Sequence, residues 1–250
     1  MKYQYLSETV NIKKISESAV SGVFEIDGLY TGYGLTIGNS LRRVLLSSLP
    51  GTATTQIKIR GVNHEFSTLP GIVEDILELT LNLKKIRFRA FTEEPQVLLL
   101  KIKGEKKVTA ADIKLNSEIE IINPETHIAT LSDKNAELDM ELTVEKGLGY
   151  SPVEARKMEK LGVGVIAIDA LFSPVQKVNY EIQTMRVGER TDFNKVRLEI
   201  ETDGTLSPSA ALHKATNILK DHYDKLSAVE VSEFKEESSG KPDKKSKKKK

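Results

Sequence analysis

Residues 20–26, VSGVFEI, alternate apolar and polar side chains with the two-residue period of a strand, and Asp27-Gly28 supplies a turn. The next segment, TGYGLTIGNSLRRVLLSSLPG (31–51), changes period and reads as a glycine-rich turn feeding an apolar helix that Pro50-Gly51 ends. ATTQIKI (53–59) alternates again, with Ala53, Thr55, Ile57 and Ile59 on one face and Gly61 after them. Ser67-Thr68-Leu69-Pro70 announces a second helix. Thr68 or a neighbour is the cap, and Ile72, Ile76, Leu79 and Leu83 follow at helical spacing. Lys84 and Lys85 close it, where cations oppose the helix dipole.

From about residue 86 to 150 the pattern is β-rich: IRFRAF, VLLLKIK, SEIEII and ELDMELTV are short strands between polar turns. VGVIAIDALF (163–172) is nearly continuously apolar, as in a strand buried on both faces. VNYEIQTMRV and KVRLEIET follow, and Asp203-Gly204 closes the second of them. Ser207-Pro208 then opens a last helix. Its seam runs through Leu212, Ala215, Leu219, His222 or Tyr223, and Leu226. SSGKPDKKSKKKK at the end predicts a disordered tail.

The first helix carries more apolar surface than one chain needs. At 100° per residue Leu41, Val44, Leu45, Leu46 and Leu49 spread over an arc of about 200°, against the ~100° stripe of a surface helix. One part of that arc can pack on the chain's own sheet, and the remainder wants a partner. Arg42 falls inside the arc and Arg43 at its edge. Helix geometry admits two roles for them: stems covering apolar surface with their heads in water, or a guanidinium fork at a protein interface. The last helix has a similar seam of Ala and Leu. Two copies of both helices would make a four-helix bundle, so the pattern predicts a dimer.

Composition narrows the picture. The 250 residues are 39% apolar and 29% charged, ordinary values for a globular protein, and there is no cysteine. Disulfides, thiolate metal sites and cysteine nucleophiles are thereby excluded, and a reducing cytoplasm suits the chain. No run approaches the ~18 apolar residues of a membrane span. The net charge of +1 averages unlike parts. Residues 233–250 hold eight Lys against four Asp or Glu, so the tail carries +4 and residues 1–232 carry −3. A mildly acidic body is not the footprint of a strong duplex binder.

Catalytic signals are weak. Gly34 and Gly38 are too close for the phosphate loop of a nucleotide triphosphatase, and Asn39-Ser40 stands where that loop needs Lys and Ser or Thr. Gly32-x-Gly34 followed by Gly38 also misses the dinucleotide fingerprint by one position. A nucleotide- or phosphate-using enzyme with the glycine turn at 32–38 as its site remains the alternative reading, and a DNA-binding protein acting through the lysine tail is a third. His64, His127, His213 and His222 lack metal-ligand spacing, and Glu74-Asp75 falls where a helix's first turn favours acids. No Asp-x-Asp pair exists to hold two magnesium ions, and Ser40, Ser47 and Ser48 have no glycine elbow around them.

Four segments carry a resemblance. GYGLTIGNSLRRVLLSSLPG (32–51), HEFSTLPGIVEDILELTLNLK (64–84) and DALFSPVQKVNYEIQTMRVGERTDFNKVRLEIETDGT (169–205) closely resemble the bacterial RNA polymerase alpha subunit family, and KGLGYSPVEA (146–155) is similar to its Lys/Arg-Gly-x-Gly-Tyr segment. The likeness runs over roughly residues 6–230. It implies an α+β fold with a discontinuous dimerisation domain, 1–50 and 168–232, and an inserted β-rich domain, 51–167; 233–250 is the disordered lysine-rich tail. It also implies a homodimer through Leu41, Val44, Leu45, Leu49, Leu212, Ala215, Leu219 and Leu226, on which the beta and beta-prime subunits assemble. Arg43 and Leu46 would contact beta, and Lys84, Asp169, Ser173, Pro174 and Val175 beta-prime. The implied role is a non-catalytic assembly subunit of a nucleotidyltransferase complex in the bacterial cytoplasm, with a plastid as the second reading. No cofactor is implied on this chain, and the magnesium belongs to another subunit. The family commonly continues into a small helical domain that grips promoter DNA. Here a lysine-rich tail follows instead, so DNA contact is expected through the complex or weakly through the tail.

Overall fold

A computed structural model describes residues 8–156, 162 and 164–229. The lysine-rich tail, residues 1–7 of the first expected domain and residue 163 of the expected 163–172 strand lie outside the described residues. Strands β1 (Asn11–Glu17) and β2 (Ser21–Leu29) pair antiparallel. With a long hairpin, β13 (Val175–Val187) and β14 (Arg190–Thr202), they form a four-stranded sheet in the order β1-β2-β14-β13. Helices α1 (Tyr33–Ser47) and α3 (Pro208–Ser227) pack on this sheet and on each other. Ser207 caps α3 and Pro208 occupies its first turn, as the sequence pattern predicts.

The chain leaves this layer along β3 (Pro50–Ile59). It then forms α2 (Ile76–Leu83), β4 (Phe88–Ala90), β5 (Gln96–Lys103), β6 (Lys106–Thr109), β7 (Ile119–Ile121), β8 (His127–Leu131), β9 (Glu137–Leu148), β10 (Tyr150–Ser151), β11 (Val165–Ala167) and β12 (Ala170–Leu171). A second four-stranded sheet runs β11-β3-β9-β5, and β4-β7, β6-β8 and β10-β12 are two-stranded ribbons. The architecture is α+β with antiparallel pairing in the long strand pairs.

Buried apolar side chains form two clusters. One gathers Phe24, Ile26, Leu41, Leu45, Leu49, Val196, Leu198, Ala211 and Ala215 under α1 and α3. The other runs from Ile57 to Ile168 and includes Leu79, Leu83, Phe88, Leu100 and Met140. Each core is thus drawn from its own stretches of sequence.

Three sequence expectations change. The second helix begins at Ile76, not near Thr68, and its cap is Asp75, whose carboxylate accepts from the Glu78 N–H at 2.6 Å. Residues 67–75 are irregular, and Ile72 bridges to Leu131. Glu74 is not in a helical turn. It is 8% exposed and accepts from the Thr130 N–H (2.6 Å), the Thr130 hydroxyl (3.0 Å) and His127 Nε2–H (2.8 Å). Burial opposes its ionisation, but these donors outweigh burial and hold the carboxyl below its ordinary range. Glu74 therefore pins the irregular segment to β8. Second, the expected continuous strand at 163–172 breaks at Ile168-Asp169 into β11 and β12, which belong to different sheets. Third, a bulge between Thr54 and Gln56 shifts the period of β3, so that adjacent Thr54 and Thr55 are both buried ahead of Ile57 and Ile59.

Gly34 and Gly38 explain how close α1 comes to the sheet. A Cβ at Gly38 would lie 2.7 Å from the Tyr180 ring on β13, and one at Gly34 would lie 3.0 Å from Asn194 Cβ and 3.1 Å from Ile182 Cγ2. Alanine favours a helix over glycine by about 1 kcal/mol, whereas overpacking costs roughly 1–3 kcal/mol. We expect the clash to prevail: Gly38→Ala lowers stability by about 1–2 kcal/mol in urea denaturation. In a Tyr180→Ala background the same change is expected to be neutral or stabilising. An unchanged midpoint in the wild-type background would contradict this packing.

Candidate functional site

The front of α1 bears directly on the phosphate reading. Gly32 caps the helix with a left-handed backbone (φ 87°) and has no side chain to receive the free N–H groups of the first turn. Asn194 on β14 takes that place from across the sheet. Its Oδ1 accepts from the Gly32 N–H at 2.9 Å and the Gly34 N–H at 3.3 Å, while the Tyr33 N–H donates to the Tyr30 carbonyl. Asp192 on the same strand accepts from the Thr31 hydroxyl at 2.6 Å and from Arg190 through Nε (3.0 Å) and Nη2 (2.7 Å). The Arg190 guanidinium also lies over the rings of Tyr30 and Phe193. The hydrogen bonds from Arg190 hold the Asp192 carboxyl far below the ordinary range, with the Thr31 hydroxyl adding to the effect. The N–H groups of Gly32, Tyr33 and Gly34, which a phosphate at this turn would need, are already engaged.

Leu41 and Leu45 on α1 lie in the first core with Leu49, which the expected arc placed on the helix but which follows its end at Ser47, and Leu45 is wholly buried. Val44 and Leu46 are half-buried, and Arg42 and Arg43 are exposed. Among the described residues neither guanidinium belongs to a salt bridge. On α3, Ala215 is buried in the same core, Leu212 and Leu219 are half-buried, and Leu226 is 69% exposed. The expected dimer residues therefore divide. Leu41, Leu45, Leu49 and Ala215 are covered by the chain's own sheet, because the wide arc of α1 is filled first from within. Val44, Leu212, Leu219 and Leu226 keep surface toward the outside.

Between α1, α3 and β1 lies an apolar groove of about 230 Å³, lined by Ile12, Ile26, Ile37, Leu212, Leu219 and Tyr223 among others. Its surroundings are unusually apolar for a surface: Ile12, Leu35, Tyr223 and Leu226 are all exposed. Glu17 holds one wall in place. This β1 carboxylate accepts from Lys14 (2.8 Å) and from the Ser209 N–H in the first turn of α3 (2.9 Å). These bonds, Lys14 first, hold its pKa down at about 2.

A second constellation brings together residues far apart in sequence. Lys84, at the end of α2, is 3.1 Å from Asp169 Oδ2, and the Val153 N–H donates to Asp169 Oδ1 at 3.0 Å. Arg156 donates to the carbonyls of Thr55 and Ile168 beside them. Ser173 is half-buried and donates to the Val175 carbonyl (3.1 Å), while Pro174 and Val175 are buried in the chain itself. Of the five residues assigned to one partner face, Lys84 and Asp169 form an exposed pair and Ser173 is half-accessible. A recess of about 490 Å³ opens beside the pair, and Phe66, Leu77 and Leu81 on its lining are exposed. The sequence reading did not include these three. Their spacing on α2 put Leu77 and Leu81 on the face opposite the core, which was the available signal.

The remaining candidates stay apart. His64 is exposed near Ser67, His127 serves Glu74, and His213 and His222 bond locally within α3. Among the described residues no group of three or more His, Cys, Asp or Glu is placed to hold a metal, and no helix is long and apolar enough to cross a membrane.

The sequence profile of the family described as "RNA polymerase Rpb3/RpoA insert domain" matches residues 57–173. A protein of Alkaliphilus oremlandii named "DNA-directed RNA polymerase subunit alpha" is 44% identical over 235 residues, which span 91% of this chain and 74% of the relative. The chain belongs to the bacterial RNA polymerase alpha subunit family. Proteins of the same name from Symbiobacterium thermophilum and Desulfitobacterium hafniense are 49% and 47% identical over 210 and 221 residues. The matches span 84% and 86% of this chain but only 66% and 70% of those relatives. The insert-domain match starts inside β3 and ends just before β13. It thus contains the whole of the second core, from Ile57 to Ile168, and none of the first.

The Asp169 carboxyl lies below its ordinary value near 3.8, first through the Val153 N–H and then through Lys84. A depressed folded-state value means that this pairing stabilises the fold above that pH and is lost as the pH falls through the folded-state value. Lys84→Ala is expected to move the Asp169 titration, followed by carboxyl NMR, upward toward 3.8 without abolishing the depression. No movement would contradict a formed pair.

Proposed function

We propose that two copies of this chain associate through the groove between α1, α3 and β1, and that the dimer is the non-catalytic platform on which the large subunits of a DNA-directed RNA polymerase assemble. The carrying observation is the groove itself. Its walls are almost wholly apolar, Ile12 and Tyr223 on its lining are exposed, and Leu226, three residues beyond Tyr223 on α3, is exposed as well. A surface of this kind is characteristic of an interface core. In an isologous arrangement the end of α3 from each copy lies in the groove of the other, which makes the bundle expected from the helix patterns. The first core, from residues 1–50 and 168–232, is then the dimerisation domain and 51–167 the insert.

The alpha-subunit names of the relatives support the polymerase part of this reading. Arg43, exposed beside half-buried Leu46, is the proposed contact for beta. Lys84 and Asp169, with Ser173 beside them, are the proposed contact for beta-prime. Pro174 and Val175 support that face from below. On this reading the catalytic magnesium and the chemistry of nucleotide addition belong to another subunit. DNA is reached through the assembled complex, in the cytoplasm.

The glycine-turn alternative gains no support, since Asn194 occupies the helix N-terminus and the close glycines serve packing on Tyr180. Sedimentation of the wild-type chain at micromolar concentration is expected to show a dimer. Placing a charge at an anchor position costs roughly 2 kcal/mol or more per site, so Leu226→Glu is expected to weaken association by at least about 30-fold. Its circular dichroism should remain that of the wild type, because Leu226 supports no internal core. A well-folded wild-type monomer at that concentration would refute the reading.

A further inference from the structure

The two cores are joined in two different ways. The chain itself crosses between them twice, outward at the start of β3 and back through residues 168–175. Phe172 packs both crossings together. Its carbonyl lies against Gly51 and its ring against Gly147, where a Cβ would come within 1.7 Å and 2.5 Å of it. A separate, polar bridge lies beside this seam. Arg89, on β4 of the second core, donates through Nε (3.1 Å) and Nη2 (2.9 Å) to the Thr205 carbonyl, and through Nη2 (3.3 Å) to the Gly204 carbonyl. Its Nη1 donates to Glu120 across the β4-β7 ribbon at 3.0 Å, which fixes the plane of the fork.

The turn that receives Arg89 is itself rigid. Asp203 accepts from both the N–H and the hydroxyl of Thr205, and its own N–H donates to the Pro174 carbonyl. Arg87 Nε approaches Asp203 at 3.9 Å, so a second cation, from the residue just before β4, faces this turn. Gly204 is left-handed (φ 88°), and a Cβ there would come 3.1 Å from Ile122, the residue after β7 in the insert. Between the bridge and the crossings lies a crevice of about 170 Å³, lined by Gly51, Thr52, Lys146, Pro174 and Lys214 among others. Apolar packing is therefore interrupted there. A bridge at the edge of such a crevice contributes little cohesion but fixes direction, because a planar fork on two neighbouring carbonyls has one geometry.

We propose that Arg89 is a positioning residue: its fork on the Gly204 and Thr205 carbonyls sets the angle between the two cores, with the paired crossings at Phe172 as the hinge. Without it, each core keeps its own packing and the insert swings about the crossings. Thr205 lies two residues before the cap of α3, so the bridge also ties the insert to the start of the helix that lines the apolar groove. The angle controls the distance between exposed Arg43 on α1 and Lys84 on the insert. The consequence for assembly rests on the function proposed above, whereas the angle itself does not.

The absence of cysteine makes the test direct. Lys103→Cys on β5 and Gln183→Cys on β13, both at exposed positions on different cores, are spin-labelled, and the labelled chain is diluted into excess unlabelled chain. Pulsed dipolar spectroscopy is expected to give one narrow distance distribution for the otherwise wild-type chain. Arg89→Ala is expected to broaden it about twofold with the circular dichroism unchanged, and Arg89→Lys, which keeps the charge but loses the fork, to give an intermediate width. A folded Arg89→Ala chain with the wild-type distribution would overturn the proposal, as would an Arg89→Lys chain indistinguishable from wild type. Should Arg89→Ala fail to fold, the width in Arg89→Lys decides by the same criterion. The measurement needs no partner subunit, so its failure is separate from any failure of the polymerase reading.

Discussion

Helix α1 lies so close to its sheet that a Cβ at Gly38 would collide with Tyr180 and one at Gly34 would crowd Ile182 and Asn194. Much of the first core follows from that approach. It brings Leu41, Leu45 and Leu49 into the core, and it leaves Arg42 and Arg43 facing outward. It also allows one side chain of β14, Asn194, to cap the helix from across the sheet. The hairpin that supplies Tyr180 and Asn194 is held to the segment before α1 by Arg190 and Asp192 acting on Tyr30 and Thr31. Sequence positions near 30 and near 190 thus form a single mechanical unit.

That unit leaves an apolar surface unfilled, the groove between α1, α3 and β1, while a different kind of surface lies where Lys84 of the insert meets Asp169 of the return crossing. The first is suited to self-association and the second to a partner recognised by charge and shape. A platform needs both at a defined spacing. Within this chain the spacing depends on two covalent crossings sealed by Phe172 and on the arginine bridge to residues 203–205.

Much of this was legible in the residues. Alternation in VSGVFEI and ATTQIKI located β2 and β3, and Ser207-Pro208 marked the cap of α3. The spacing of the glycines already argued against a phosphate loop. Their positive role was not legible, because the atoms that demand glycine at 34 and 38 belong to residues about 140 to 160 positions later. The leucine arc of α1 showed excess apolar surface but not its owner, since an isolated helix does not reveal which of its faces the same chain will cover. The dimer role that the resemblance implies for Leu41, Leu45 and Leu49 falls on side chains that the chain's own sheet also covers. Thr68-Pro70 resembled a helix start because proline suits both a first turn and an irregular loop. Asp75, with Glu78 three residues on, was the competing signal, and the buried role of Glu74 depended on His127 and Thr130 far along the chain.

On the function proposed above, α1 presents its outward arginine for assembly and not for catalysis. The most direct test is co-purification of the beta and beta-prime subunits on the Arg43→Ala chain. Among the described residues the Arg43 guanidinium is exposed and in no salt bridge, so the prediction is an intact, normally folded dimer that recovers the large subunits at least about tenfold less well than wild type. Recovery equal to wild type from a folded Arg43→Ala dimer would contradict it.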